Sequence, residues 1–347
     1  MTAVTSQAVP VTPARGPVVR TLARPELGAA IGAILIAAFF ASRTDQFATA
    51  AGVANVLDVT ATLGIMAVAV ALLMIGGEFD LSAGALTAST GLVTALLVDR
   101  LDVNIWEGIA WALAFALVIG FLNGILVTMT RLPGFIVTLG TLFALTGANV
   151  GVTKLLTDTV QVGGVDAAAG YGGARAIFAS GVTIGGGEFR AAIVWWLVIT
   201  VLATLLLLRT KFGNWIFGVG GGSAAARSVG VPVRRTKILL FMTTATAAWL
   251  VGTISVLRLT SVQANSGIGE EFNYIIAAVI GGCLITGGVG SAVGAALGAL
   301  IYGMTQQGIV FAQWDSDWFP LFLGALLIVA VLINTLFVRR RREGPPG

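Results

Sequence analysis

The sequence has no histidine and a single cysteine, Cys283. Without histidine, a helical HExxH zinc site, a serine–histidine triad and a histidine proton relay are all excluded. One cysteine excludes an internal disulfide and a cysteine-based metal cluster. Charge is scarce: Asp, Glu, Lys and Arg make up 10% of the chain, where soluble domains carry about 25%. No GxxxxGK[ST] phosphate loop occurs, so the chain does not bind ATP by that device. Acids and bases do not alternate along an apolar segment as a proton-driven pump requires. No catalytic residue, metal or cofactor is expected.

What fills the sequence is apolar. Hydrophobic residues make up 57% of the chain, and its mean hydropathy is +0.95. The class is therefore an all-α, polytopic helical membrane protein embedded in lipid, with about ten transmembrane helices. The expected spans are Leu27–Ala41, Val59–Ile75, Ser82–Val98, Trp106–Val127, Gly134–Val152, Ala191–Leu208, Ile238–Leu257, Phe272–Ile285, Ala292–Val310 and Trp318–Val338. Several fall short of the roughly 20 residues a full crossing needs, and glycine interrupts others, as in helices broken beside a cavity. Residues 1–26 are expected to be a disordered cytoplasmic tail rather than a cleaved signal peptide, and 339–347 a basic cytoplasmic tail.

Charge sets the orientation. With the N-terminus inside and the spans alternating, the cytoplasmic set is Arg15, Arg20, Arg24, Arg131, six basic residues between 209 and 237, and Arg339 to Arg342. Arg43, Arg100, Lys154, Arg175, Arg190 and Arg258 fall outside, and most acids fall there too. Fourteen of the twenty basic residues thus lie where the positive-inside rule wants them. A net charge of +4 could suit nucleic acid, but these basic residues flank apolar spans, so no nucleic-acid partner is expected. A bacterial inner-membrane location with both termini cytoplasmic follows. The Gly/Ala-rich stretch 153–190 is the longest outer segment, either a solvated connector or a surface for an external partner.

The stretch 209–237 is polar, basic and glycine-rich, and holds no acid. It is expected as a cytoplasmic loop carrying one very short helix. Ser223 is placed as N-cap; Ala224, Ala225, Ala226 and Arg227 are strong helix formers. Gly230 suits the left-handed position after the helix, and Pro232 bars continuation. A capped helix there is either a structured loop or a docking helix for a soluble partner.

Other candidates lie within the apolar segments. In Gly76-Gly77-Glu78-Phe79-Asp80-Leu81-Ser82, two glycines free the backbone, and Asp80 or Ser82 can cap the next helix or shape a translocation path. Asn123, Thr138, Thr141 and Asn149 can face a neighbouring helix or a pore. Gly290, Gly294 and Gly298, four apart, are expected to share one helix face for close packing.

Four ordered blocks together resemble the ribose-type permease family of ATP-binding cassette (ABC) importers. They are GGEFDLSAG at 76–84, NGILVTMTRLPGFIVTLGTLFALTG at 123–147, KFGNWIFGVGGGSAAARSVGVPVRRTKILLF at 211–241 and IAAVIGGCLITGGVGSAVGAALGALIYG at 276–303. Gly134 stands where the family commonly has a second proline. Gly222, Ser223 and Ala224 replace its usual Asn and acidic pair. The resemblance implies an ABC permease architecture of the ribose and vitamin B12 type. It implies a second permease copy, a cytoplasmic ATP-binding cassette ATPase and a periplasmic or extracellular solute-binding protein as partners. It also implies that Gly221, Ser223, Ala224, Ala225, Arg227 and Gly230 couple the permease to the ATPase. A sugar permease is the first expectation. A permease for nucleosides or branched-chain amino acids, a stand-alone secondary transporter and a membrane receptor or scaffold are the alternatives.

Overall fold

A computed structural model describes residues 25–130 and 132–343. The expected tail through Arg24, the inner-turn residue Arg131 and the last four residues lie outside the described set. The elements, in chain order, are helices α1 (Pro25–Arg43), α2 (Ala50–Ile75), α3 (Ala83–Leu101), α4 (Ile105–Thr130) and α5 (Gly134–Thr157), strand β1 (Gln161–Val162), helix α6 (Tyr171–Phe178), strands β2 (Gly181–Ile184) and β3 (Gly187–Arg190), helices α7 (Ala191–Arg209), α8 (Lys211–Ser228) and α9 (Val233–Leu259), strand β4 (Val262–Gln263), and helices α10 (Glu270–Ile280), α11 (Ala292–Phe311) and α12 (Phe319–Glu343).

The all-α reading holds, and each of the ten expected spans falls on a helix. Seven helices among the described residues are long and apolar enough to cross a membrane. Helix α10 is not: its 11 residues make about 16 Å, half of the roughly 30 Å hydrocarbon layer. The span expected at Phe272–Ile285 therefore ends early, because Gly281 and Gly282 terminate it. At the other end of the bundle, α2 begins nine residues before its expected start. The Thr49 hydroxyl accepts from the Gly52 N–H at 3.0 Å, capping it. Helix α1 starts at Pro25, inside the expected tail, and α12 runs on to Glu343, so residues 339–343 continue a helix.

Helix α2 is the axis of the fold. Every residue from Leu63 to Ile75 is buried, and α11, α7, α10 and α9 pack around it. By contrast α4, α5 and α7 expose large apolar side chains such as Phe121, Phe143 and Leu208, the pattern of lipid-facing helices. The stretch 153–190 carries regular structure. Helix α5 runs into it to Thr157, β2 and β3 form a hairpin, and β1 pairs antiparallel with β4, Gln161 opposite Gln263.

Close packing without a hydrophobic driving force depends on small residues. Gly120 and Gly124 of α4 abut α9: a Cβ on Gly124 would sit 2.7 Å from the Ile238 Cα, and one on Gly120 2.8 Å from the Ala245 Cβ. Gly294 and Gly298 bring α11 against α10 in the same way, at Gly281 and Ala277. The expected three-glycine face is corrected at Gly290, which precedes α11; its N-cap, Ser291, accepts from the Gly294 N–H at 2.9 Å. In α5, Gly140, Gly147 and Gly151 have open space where a Cβ would go. Gly124→Ala is expected to destabilise by about 1–3 kcal/mol through overpacking. Gly147→Ala is expected to stabilise by about 0.5–1 kcal/mol, since helical glycine costs that much against alanine. Thermal unfolding in detergent reads both, and equal shifts would show that glycine does not set the α4–α9 spacing.

Candidate functional site

Two helices of the bundle stop inside it, and they stop alike. At the end of α2, the Gly77 N–H donates to the Met74 carbonyl at 2.9 Å and the Glu78 N–H to that of Leu73 at 3.2 Å. At the end of α10, the Gly282 N–H donates to Val279 at 2.9 Å and the Cys283 N–H to Ala278 at 3.0 Å. Both are Schellman turns, with Gly77 (φ +81°) and Gly282 (φ +95°) in the left-handed position. The sequence signal for the pair is the repeated Ile-Gly-Gly at 75–77 and 280–282.

The first break is fixed by polar side chains. Asp80 Oδ1 accepts from the Ser82 N–H at 2.9 Å and the Ser82 hydroxyl at 2.5 Å. Ser82 Oγ accepts from Asn123 Nδ2 at 3.0 Å, and Asn123 Oδ1 accepts from the Thr141 hydroxyl at 2.6 Å. Thr138 Oγ1 accepts from the Leu81 N–H at 3.0 Å. Four of the five polar residues singled out for a path, Asp80, Ser82, Asn123 and Thr141, thus form one network, and Thr138 separately holds the same break through the Leu81 N–H. Asp80, Ser82, Asn123 and Thr138 are buried. Neither Asp80 nor Ser82 caps α3 through its side chain: Ser82 sits at the N-cap position without a cap bond, and Asp80 holds Ser82. Asn149 likewise bonds its neighbour, accepting from the Ser89 hydroxyl at 2.9 Å. An ion pair not foreseen from sequence, Glu78 with Lys237 of α9, ties the break to α9 as well.

The second break, 281–291, meets the first. The Gly288 N–H donates to the Ile75 carbonyl at 2.9 Å. Helix α8 rests on both: a Cβ on Gly220 would run into that same carbonyl and come within 2.7 Å of the Gly288 N. A Cβ on Gly287 would lie 2.8 Å from the Gly77 Cα and 2.9 Å from the Gly220 O, and one on Gly288 2.9 Å from the Gly221 Cα. Three glycine segments therefore touch backbone to backbone.

Beyond this junction α8 changes direction. The stretch expected as a loop is helical from Lys211, capped by Thr210, whose hydroxyl accepts from the Gly213 N–H at 3.0 Å. Gly222 leaves helical geometry and splits off Ser223–Ser228 as a separate short piece. Ser223 is not its cap by side chain, because its hydroxyl donates back to the Val219 carbonyl at 3.0 Å. The C-terminal stop is as expected: Gly230 has φ +85°. Its N–H donates to Arg227 O at 3.1 Å, and the Val231 N–H to Ala226 O at 3.0 Å, a third Schellman turn. Ala226 and Val231 pack with Val219 and Val233, while Ala224, Ala225, Arg227 and Val229 are exposed.

At the opposite end of the bundle lies a cavity of about 600 Å³, within the range of small-molecule sites. Its walls come from α2 (Asp58, Thr62), α3, α9 (Ser255, Arg258), α10 (Glu270, Tyr274), α11 (Tyr302, Gln306) and the β1–β4 pair (Gln161, Gln263). The Arg258 guanidinium holds the Asp58 carboxylate bidentately, at 2.7 and 3.0 Å, and Arg190 Nε approaches the same carboxylate at 3.6 Å. Asp80, Ser82 and Thr138 do not line this cavity; Asn123 and Thr141 line a separate, mostly apolar groove between α4 and α5.

Asn123 serves two partners at once, so Asn123→Ala leaves the Ser82 and Thr141 groups without their amide. The expected loss is about 1–3 kcal/mol, the cost of orphaned buried polar groups. Thr141→Ala, at a half-buried position, should cost less. An Asn123→Ala unfolding midpoint equal to wild type would show that the network does not hold the break.

The family described as "Branched-chain amino acid transport system / permease component" matches residues 52–331. The ribose import permease protein RbsC of Escherichia coli strain K12 is 32% identical over 305 residues, covering 88% of this chain and 92% of that one. The xylose transport system permease protein XylH of the same strain is 31% identical, covering 90% and 91%. A probable ABC transporter permease protein, y4mJ, of Sinorhizobium fredii strain NBRC 101917 / NGR234 is 32% identical, covering 92% and 91%. The matched region takes in both breaks, α8 and the cavity, and the chain belongs to this family of ABC transport-system permeases.

Proposed function

We propose that the chain is the membrane-spanning subunit of an ABC importer that moves a sugar or sugar-like solute into the cytoplasm. A separate cytoplasmic ATPase drives it, an external solute-binding protein feeds it, and a second permease copy completes the pore. The observation that carries the reading is the position of α8. A nucleotide-driven machine needs a rigid piece to push on and a contact that passes the push inward. Residues 223–230 offer the first: a short helix, stopped by a Schellman turn, that exposes two alanines and an arginine. Gly220 offers the second, since it lies against both breaks. Exposed Ala224 and Ala225 fit a groove without steric cost, and Arg227 can bond carboxylates or backbone carbonyls there.

The orientation follows from charge. The end of the bundle bearing α8 holds Arg209, Lys211, Arg227, Arg234, Arg235 and Lys237, and the stretch has no acid, which favours the cytoplasm. The cavity then opens outward, where a binding protein would deliver solute. In this scheme Asp80 acts at one remove, fixing the break between cavity and cytoplasm. Its second oxygen, Oδ2, has no partner in the network.

Ala225→Asp adds a charge to the exposed face, and Arg227→Glu reverses its main charge. Neither is buried, so expression and insertion should match wild type. Both should reduce co-purification of the ATPase and solute-stimulated hydrolysis at least several-fold. Wild-type ATPase capture and uptake in both variants would remove residues 223–230 from the coupling role.

A further inference from the structure

We propose that the cavity beneath the β1–β4 pair is a solute-holding site built within a single permease chain, and that it takes an uncharged, polyhydroxylated molecule of monosaccharide size. The proposal rests on the permease reading, which already names a sugar, and adds to it a place. The first argument is charge. The charged groups on the cavity wall are Asp58, Arg258 and Glu270. Asp58 and Arg258 neutralise each other through two hydrogen bonds, and Arg190, which also approaches Asp58, pairs with Glu188 at 3.0 Å, so neither guanidinium is free to grip a carboxylate or phosphate. Glu270 accepts from Asn273 Nδ2 at 3.2 Å and leaves the wall with one net negative charge. Such a site repels an anionic solute, and it lacks the separate cationic group that a zwitterionic amino acid would need for its carboxylate.

The second argument is hydrogen-bonding type. Gln263 and Gln306 each bring a donor and an acceptor, Gln161 keeps its acceptor while its amide donates to Ser261 at 3.2 Å, and Tyr302 brings a hydroxyl that does both. Hydroxyl groups of a sugar are also both donors and acceptors, so amides and phenols match them in either sense. The Tyr302 ring is held edge-on against Phe319, with centroids 5.1 Å apart, so this hydroxyl-bearing wall is fixed before any solute arrives.

The third argument is position. Tyr274 on the wall and Ile280 at the second break are six residues apart on α10, about 9 Å of helix. The cavity wall and the second break therefore share one short helix, α10. Solute held here lies between the strand pair on one side and the glycine junction on the other. A shift of α8 that moves the break would reach the cavity wall through α10.

Ser255, half-buried on the cavity wall, gives a test that does not depend on a disruptive substitution. Ser255→Cys in a Cys283→Ala background is reconstituted with its ATPase and solute-binding protein, and treated from the cavity side with a membrane-impermeant thiol reagent. Ribose, xylose, leucine and ribose 5-phosphate serve as probes. The expected result is that modification lowers sugar uptake at least tenfold, and that ribose or xylose slows modification several-fold while leucine and the phosphorylated sugar do not. Uptake unchanged by complete modification, or a modification rate that no sugar alters, overturns the cavity as the solute site. Protection by leucine or the phosphate overturns the chemical class. The unsubstituted protein, whose one cysteine is buried, reports on the underlying reading by itself: no ATP-dependent uptake of any probe would count against the permease reading rather than against the cavity.

Discussion

The fold depends on a backbone contact. Gly77, Gly220 and Gly288 bring three chain segments so close that no side chain fits between them. The reason lies in the solvent. A peptide group in hydrocarbon has no water to bond, so a helix can break there only if every freed donor and acceptor finds a protein partner. Here the Schellman turns recover part of each helix end, the Gly288 N–H takes the Ile75 carbonyl, and Thr138 takes the Leu81 N–H. Side chains cannot reach the remaining groups as economically as a second backbone can, so glycine is required on all three segments. As a result α8 lies in backbone contact with both breaks.

This arrangement divides the molecule by task. One end carries basic residues, α8 and the short helix after Gly222. The other carries the Asp58–Arg258 ion pair, two short strand pairs and the polar cavity. Between them α2 runs buried along most of its length, and the breaks at 76–82 and 281–291 are the points where that packing gives way to irregular chain. The polar network around Asp80 and Asn123 belongs to this middle layer. Apart from the unpartnered Asp80 Oδ2, its hydrogen bonds hold the first break to α4 and α5.

Much of the framework was legible in the sequence because apolar length and basic flanks are one-dimensional signals. The ten segments and the break at 76–82 follow from them, and the Gly230–Pro232 stop follows from the two residue types that end helices. The errors have physical causes. The polarity of Lys211–Gly221 was read as a loop, yet Phe212, Ile216 and Val219 give it an apolar side that packs inward. Ser223 looked like a cap, but its hydroxyl bonds backward along the helix. Gly290 kept the four-residue spacing of Gly294 and Gly298 while lying in the turn before them. The cavity left no trace, because Asp58 and Arg258 are 200 residues apart and Gln161 meets Gln263 only through a two-residue strand pair. The resemblance to ribose-type permeases named the coupling block, but spacing alone could not show that Gly220 and Gly221 touch the breaks.

The central claim is that the glycine junction transmits nucleotide-driven motion from α8 to the breaks. It is tested most directly by the ratio of solute moved to ATP hydrolysed in Gly220→Ala, with Gly221→Ala as control, since a Cβ on Gly221 meets nothing within 4 Å. Both proteins are reconstituted with the ATPase and the solute-binding protein. The account predicts that Gly220→Ala still binds the ATPase and hydrolyses ATP, but moves at least tenfold less solute per ATP, while Gly221→Ala keeps the wild-type ratio. A wild-type ratio in Gly220→Ala would contradict it.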